Sequence, residues 1–278
     1  MVTSGILVGM TSPPAAASPV PTLPNLRDLG GWTTADGRAV APGRLYRSTD
    51  FSAMATADLP RLEALGLRTI YDLRSATERK ALPDPQLDDV IDIHLDVLAD
   101  AAMAIPANIG AFLSDPKTVA MASQELSDGK ARELIARTYR DLVSLPSAGR
   151  AYREFYRGLL GEHPRPALFH CTTGKDRTGW AAASFLTLMG VAKDDVYHDY
   201  LLTNERLIPA LKPIFDDFAA AGGDPDLLIP VLGVDAAYLD AAFAEVDSTH
   251  GGIEGYLADS LGIGAAEQEQ LRERFLMG

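Results

Sequence analysis

The sequence predicts a single α/β domain: a central, mainly parallel sheet flanked by helices. Three observations predict it. Strand-like and helix-like segments alternate along the chain. The 278 residues are 47% apolar, enough to bury a full core, and no shift in composition marks a second domain. One stretch passes directly from a short apolar strand, through a glycine-bearing polar loop, into an apolar helix.

Residues 1–22 lack a basic start and a long apolar run, so no signal peptide is read there, and the Pro-Ala-Ser tract within them is expected to be disordered. The domain is placed at 23–278. Arg44–Arg47 reads as a strand after a turn at Asp36-Gly37-Arg38. Thr56–Leu65 reads as a helix with Thr56 as N-cap and Gly66 as C-cap. Leu67–Leu73 is an apolar strand, and Val90–Leu95 alternates like a half-buried one. Residues 100–146 form a helical insertion without a strand, in which Gln124–Leu142 is a helix broken at Asp128-Gly129. Ala148–Leu160 is an amphipathic helix leading into the Pro166–Phe169 strand, and Arg177–Met189 is an apolar helix. Leu232–Val246 and Gly252–Phe275 read as C-terminal helices packing on the core.

The strand-loop-helix unit contains the only cysteine, in His170-Cys171-Thr172-Thr173-Gly174-Lys175-Asp176-Arg177-Thr178-Gly179. Such a loop makes an anion cradle. The amides of Thr172, Thr173 and Gly174 point inward, and the positive end of the helix faces the same spot. Arg177 and Lys175 beside a helix N-terminus favour the thiolate, which is the nucleophilic form of cysteine. Arg177 can fork onto two oxygens of a phosphate, and Thr178 Oγ is placed to hydrogen-bond the sulfur when it leaves. This is the equipment of two-step covalent hydrolysis of a phosphate monoester. A buried structural thiol at a strand end is the bland alternative. It explains neither the glycine, nor the charges, nor the helix that opens behind them.

Composition narrows the partners. A net charge of −13 and a pI near 4.8 exclude nucleic acid and anionic membrane as general ligands. An anionic substrate must be gripped locally, by Arg177, Lys175, the loop amides and Arg74. No apolar run has the length of a membrane span. One cysteine permits no internal disulfide and suits a reducing cytoplasm, where the protein is expected to reside. His94, His163, His198 and His250 show no metal-ligand spacing, so neither metal nor cofactor is expected.

The string His170–Gly179 resembles the phosphate-binding loop of cysteine-dependent protein tyrosine phosphatases. Its Gly-Lys-Asp-Arg-Thr-Gly form resembles the bacterial tyrosine-protein phosphatase family. Further stretches are similar to that family: Asn25–Gly31 with Leu45–Ser48, Ile70–Ser75 with Glu78, and Asp199–Asn204. The resemblance implies a phosphatase-like fold, phosphotyrosine proteins as substrates and inorganic phosphate as product. It also implies that the 100–146 insertion can act as a lid, although its periodicity fits a peripheral helical layer equally well. Lys175-Asp176 resembles lipid phosphatase loops; the resemblance implies that protein and phosphoinositide activities can coexist, and a primarily phosphoinositide phosphatase is the alternative. A catalytically dead phosphate-binding module is an alternative of another kind, but it would need Cys171 or Arg177 replaced. Reversible oxidation of the Cys171 thiolate is expected.

The leaving oxygen needs a proton. Asp72 is the first candidate acid, because it ends a strand beside the Phe169 strand, and strand C-termini in such sheets face the ligand crevice. The competing reading is that Asp72 caps a turn and pairs with Arg74. The resemblance puts Asp176 close to the phosphate, as rival acid or as an orienter of water and Lys175. Asp92 and Asp96 are more distant candidates. His170 is read as orienting the loop and tuning the thiolate. Asp28 and Arg47 are read as a supporting ion pair beneath the loop, with a surface pair as the alternative.

Overall fold

A computed structural model describes residues 17–101, 116–163 and 165–278. The strands are Arg27–Asp28 (β1), Ala39–Val40 (β2), Leu45–Ser48 (β3), Thr69–Asp72 (β4), Ile91–His94 (β5), Ala167–His170 (β6) and Leu276–Met277 (β7). Five of them form one sheet in the order β1-β3-β6-β4-β5. β3, β6, β4 and β5 are mutually parallel, and β1 runs antiparallel at the edge. β2 pairs with β7, tying the C-terminus to the N-terminal third.

Alternation divides the strands between two cores. Leu45, Tyr71, Ala167 and Phe169 point into the larger cluster. Tyr46, Ile70 and Leu168 point into a smaller one on the other face, with Leu23, Phe51 and Leu62. The α-helices of four residues or more among the described residues are Leu59–Glu63 (α1), Ala76–Ala81 (α2), Pro116–Leu126 (α3), Lys130–Ser144 (α4), Pro146–Arg157 (α5), Arg177–Leu188 (α6), Lys193–Leu207 (α7), Lys212–Ala220 (α8), Ile229–Leu232 (α9), Ala236–His250 (α10) and Ala265–Phe275 (α11). Helices α4 to α7, α10 and α11 supply the larger core, and α10 lies along α4. The α/β class and the mainly parallel sheet are as predicted.

Parallel register places the last residues of the four parallel strands in one row: Ser48, His170, Asp72 and His94. The chain therefore leaves β6 at the crevice edge of the sheet, where Cys171 follows.

Several local expectations are revised. Val20 is fully buried and Thr22 hydrogen-bonds Asp58, so ordered chain begins before Leu23; residues 1–16 lie outside the described residues. Thr56 opens a 3-10 turn instead of capping a helix, and the α-helical bonds begin only at Leu59, next to Pro60. β5 is an edge strand with Ile91, Asp92 and His94 exposed. The C-terminal helix begins at Ala236, capped by Asp235, because Gly233 ends a separate turn. Pro225–His250 reaches a mean hydropathy of 1.6, but it is broken at Gly233–Asp235 and α10 packs on α4. Of the insertion, residues 102–115 lie outside the described residues. Val119 of α3 packs with Phe218, Leu228 and Leu232 in a small separate cluster.

Phe155 holds the sheet to the helical layer, with ring centroids 5.2 Å from Tyr71 and 5.0 Å from Phe169. Phe155→Ala is expected to cost about 3–5 kcal/mol, read as a lower urea midpoint with an unchanged slope.

Candidate active site

The loop between β6 and α6 is shaped by its glycine and by donors beneath it. Gly174 has φ +66°, and a Cβ there would lie 2.2 Å from Ser48 O, so only glycine fits. Asp50 N donates to Thr172 O at 3.0 Å. Asn25 Nδ2 donates to Thr173 O and Gly174 O at 3.1 and 3.0 Å, and Arg47 Nη2 donates to Gly174 O at 2.8 Å. With these carbonyls turned outward, the peptide N–H groups are left to face the loop interior.

Asn25 and Arg47 belong to one buried ion network. Asp199 of α7 receives Arg27 Nε at 2.8 Å and Arg47 Nη1 at 2.6 Å. Arg27 Nη1 in turn holds Asn25 Oδ1 at 2.5 Å. Burial pushes the Asp199 carboxyl up, but the two guanidinium charges outweigh it and bring it down to about 2. Burial and the Arg27 charge push Arg47 down to about 10 against the pull of Asp199. The expected Asp28–Arg47 pair is not formed. Register sets Arg27 opposite Arg47, so Asp28 faces the other side, where it accepts from Gly30 N and Gly43 N.

Arg177 is clamped from behind. Its Nη1 and Nη2 meet Glu78 Oε2 and Oε1 at 2.6 and 2.8 Å, and Nη1 also donates to Leu73 O at 3.3 Å. Of five guanidinium N–H groups, Nε–H and the outer Nη2–H remain, and they form the side-on fork that fits two oxyanion oxygens. Glu78 is itself fixed by Ser75 N at 2.8 Å and by Thr172 Oγ1 at 2.5 Å. Burial raises its carboxyl, but Arg177, Thr172 and Ser75 together lower it to about 2. The Ser75-x-x-Glu78 capping box was the available signal for this residue; nothing in it shows that Glu78 also grips Arg177.

Cys171 is 2% exposed at the base of this loop. Thr178 is buried, and its Oγ1 has no hydrogen-bond partner among the described residues. His170 is held by Cys171 O at 3.1 Å, by Asp84 at 3.2 Å and by the edge of Phe51. Lys175 is buried, with Nζ 2.9 Å from both Oδ1 and Oδ2 of Asp176. Asp176 also receives Tyr139 OH at 3.1 Å on Oδ1, and its side chain is 19% exposed.

Two expected residues lie away from the cradle. Arg74 is fully buried, with both its Nε and Nη2 on Asp72 at 2.9 Å, Nη2 on Asp84 at 2.8 Å and Nη1 on Leu82 O at 2.8 Å. Its donors are committed, so it does not serve as a substrate ligand. Asp72 is equally buried; burial raises its carboxyl, but Arg74 and His170 hold it below the usual range. Both Asp72 oxygens are taken by the Arg74 guanidinium and none of the residue is exposed, so it cannot reach a leaving group, and the pairing with Arg74 is the arrangement present. Asp72, Asp84 and His170 do bring ligand atoms within 4.8 Å of one another, but the Arg74 guanidinium already supplies the cation there.

A cleft of about 500 Å³ opens onto Thr172 and Thr173. Its apolar wall includes Pro21, Leu207, Leu211, Ile214 and Leu232, and no lysine or arginine among the described residues lines it.

Residues 18–277 match the sequence profile described as the tyrosine phosphatase family. The chain is 34% identical to a provisionally named tyrosine-protein phosphatase of Cupriavidus necator, over 92% of this chain and 87% of that one. It is 32% identical to the triple specificity protein phosphatase PtpB of Mycobacterium tuberculosis, over 89% and 95%. A tyrosine-protein phosphatase of Nostoc commune is 27% identical, over 85% and 75%. The chain belongs to the tyrosine phosphatase family and is a phosphatase.

Asp199→Asn would leave two buried guanidinium groups undercompensated and is expected to cost about 3–5 kcal/mol, read by denaturant titration. Glu78 and Asp199 both have folded values lowered to about 2. Their stabilisation is therefore present above their unfolded values, near 4.5 and 3.8, and is lost as pH falls from there toward 2. Thermal melts across that window should show the wild-type melting temperature falling with pH, and Asp199→Asn falling less.

Proposed function

We propose that this member of the tyrosine phosphatase family hydrolyses phosphotyrosyl esters through a phospho-cysteine intermediate on Cys171. Sγ attacks phosphorus while the bond to the tyrosine oxygen breaks. The Nε/Nη2 fork of Arg177 and the amides of Thr172, Thr173 and Gly174 hold the non-bridging oxygens, whose charge is spread furthest in the transition state. Asp176, at the rim of the loop, replaces Asp72 as the acid that protonates the departing phenolate. Water then attacks the phospho-cysteine, Asp176 takes its proton, and Thr178 Oγ1 donates to the departing sulfur. The products are tyrosine and inorganic phosphate. Each step is carried by a side chain of this chain or by water.

The observation that carries the reading is the Glu78 clamp on Arg177, which commits one face of the guanidinium and leaves the oxyanion-binding fork at Cys171. The apolar cleft beside Thr172 and Thr173 fits an aryl ester and its neighbouring peptide. A second reading, phosphoinositide hydrolysis, is supported by Lys175 within the loop and by the triple-specificity name of the PtpB relative. The absence of basic residues along the cleft among those described ranks it second. The reduced thiol that this chemistry requires fits a cytoplasmic location.

Phosphate release should be measured on phosphotyrosine, phosphoserine and phosphothreonine peptides and on a phosphoinositide panel. Preference for phosphotyrosine is expected, with Cys171→Ser silent on all of them yet normally folded. Better turnover of phosphoinositides would reverse the ranking, and an active Cys171→Ser would end the covalent mechanism. Arg177→Lys should lose roughly 10²–10³-fold in kcat by steady-state assay, because an ammonium cannot reproduce the fork.

A further inference from the structure

Two tyrosines that the chemistry above does not use form a hydrogen-bonded chain ending on Asp176. Tyr200 of α7 donates to Tyr139 of α4 at 2.6 Å, and Tyr139 OH lies 3.1 Å from Asp176 Oδ1. Both rings are buried and meet edge to face, with centroids 6.0 Å apart. A phenol has one proton to donate. The Tyr139 oxygen already accepts from Tyr200, so its own proton goes outward, and its nearest acceptor is Asp176 Oδ1; Lys175 O is farther, at 3.5 Å.

From this geometry we infer that Tyr139, oriented by Tyr200, is a positioning residue that fixes which oxygen of Asp176 carries the transferable proton. Lys175 Nζ lies 2.9 Å from both oxygens of Asp176, so among the described residues it is the Tyr139 donor on Oδ1 that tells them apart: Oδ1 acts as acceptor and a proton on Asp176 resides on Oδ2. Burial holds both phenols far above their ordinary value, so they remain donors across the working range of the enzyme. A carboxyl locked in one rotamer with one protonated oxygen spends less time in unproductive orientations at the moment the leaving oxygen departs.

The last glycine of the loop string has its explanation here. A Cβ on Gly179 would lie 3.1 and 3.3 Å from the Tyr200 ring and 3.6 Å from Tyr139 OH, so glycine at the first turn of α6 admits the tyrosine pair.

The inference rests on Asp176 being the acid, and the test separates the two. Phenyl phosphate leaves as a basic phenolate and needs a proton; dinitrophenyl phosphate leaves readily without one. Tyr139→Phe is expected to lower kcat on phenyl phosphate roughly tenfold, with kcat on dinitrophenyl phosphate and both KM values little changed. Tyr200→Phe should do the same more weakly, and it carries the test should Tyr139→Phe fail to fold. An equal fall on both esters, or no fall on either, while Asp176→Asn discriminates between them, would overturn the positioning role and leave Asp176 as acid. Failure of Asp176→Asn to discriminate would overturn the acid assignment and the inference with it.

Discussion

The site depends on one ion pair, between Glu78 and Arg177. A buried guanidinium without a partner is unsustainable, and a guanidinium with all its donors taken is useless to a substrate. Glu78 meets both conditions by occupying only the two inner N–H groups, while Leu73 O takes a third. The same carboxylate caps α2 through Ser75 N and reaches the loop through Thr172 Oγ1. One side chain thus joins the helix after β4 to both ends of the phosphate loop, and the loop cannot shift without disturbing all three contacts.

Two further buried charge clusters flank that pair. On one side Asp199 gathers Arg27 and Arg47, which with Asn25 turn the loop carbonyls outward. On the other, Asp72 and Asp84 share Arg74, with His170 against Asp84. Buried ion pairs are poor sources of net stability, since desolvation consumes most of the Coulombic gain. What they supply is geometry: each guanidinium is planar and multiply bonded, so the elements it links have little freedom to slide. In a chain of net charge −13, the positive groups around the loop are held in place by specific acidic partners.

The loop itself was legible because its chemistry lies within consecutive residues. Cys171, Gly174, Arg177 and Thr178 are brought together by the turn that a strand-loop-helix sequence must make, and Gly174 is required by the approach of the Ser48 carbonyl. The parallel sheet was legible because strands and helices alternate, and the sheet in turn put the loop at the C-terminal edge of β6.

The pairings around the loop were decided by tertiary structure. Arg47 could have met Asp28 on sequence grounds, but a one-residue difference in strand register sets Arg27 opposite it and calls for a carboxylate from α7, 152 positions away. Asp72 stands at the right edge of the sheet for an acid, yet Arg74, two residues on, folds back over it. Tyr139 lies on a helix whose periodicity says only that it faces inward, and whether it meets a leucine or the Asp176 carboxylate depends on how α4 seats against α6. Covalent adjacency and local periodicity therefore determined the cysteine and arginine of the loop and the fold class. Partners distant in the chain depend on register and helix seating, and those are set by the packing of the whole core.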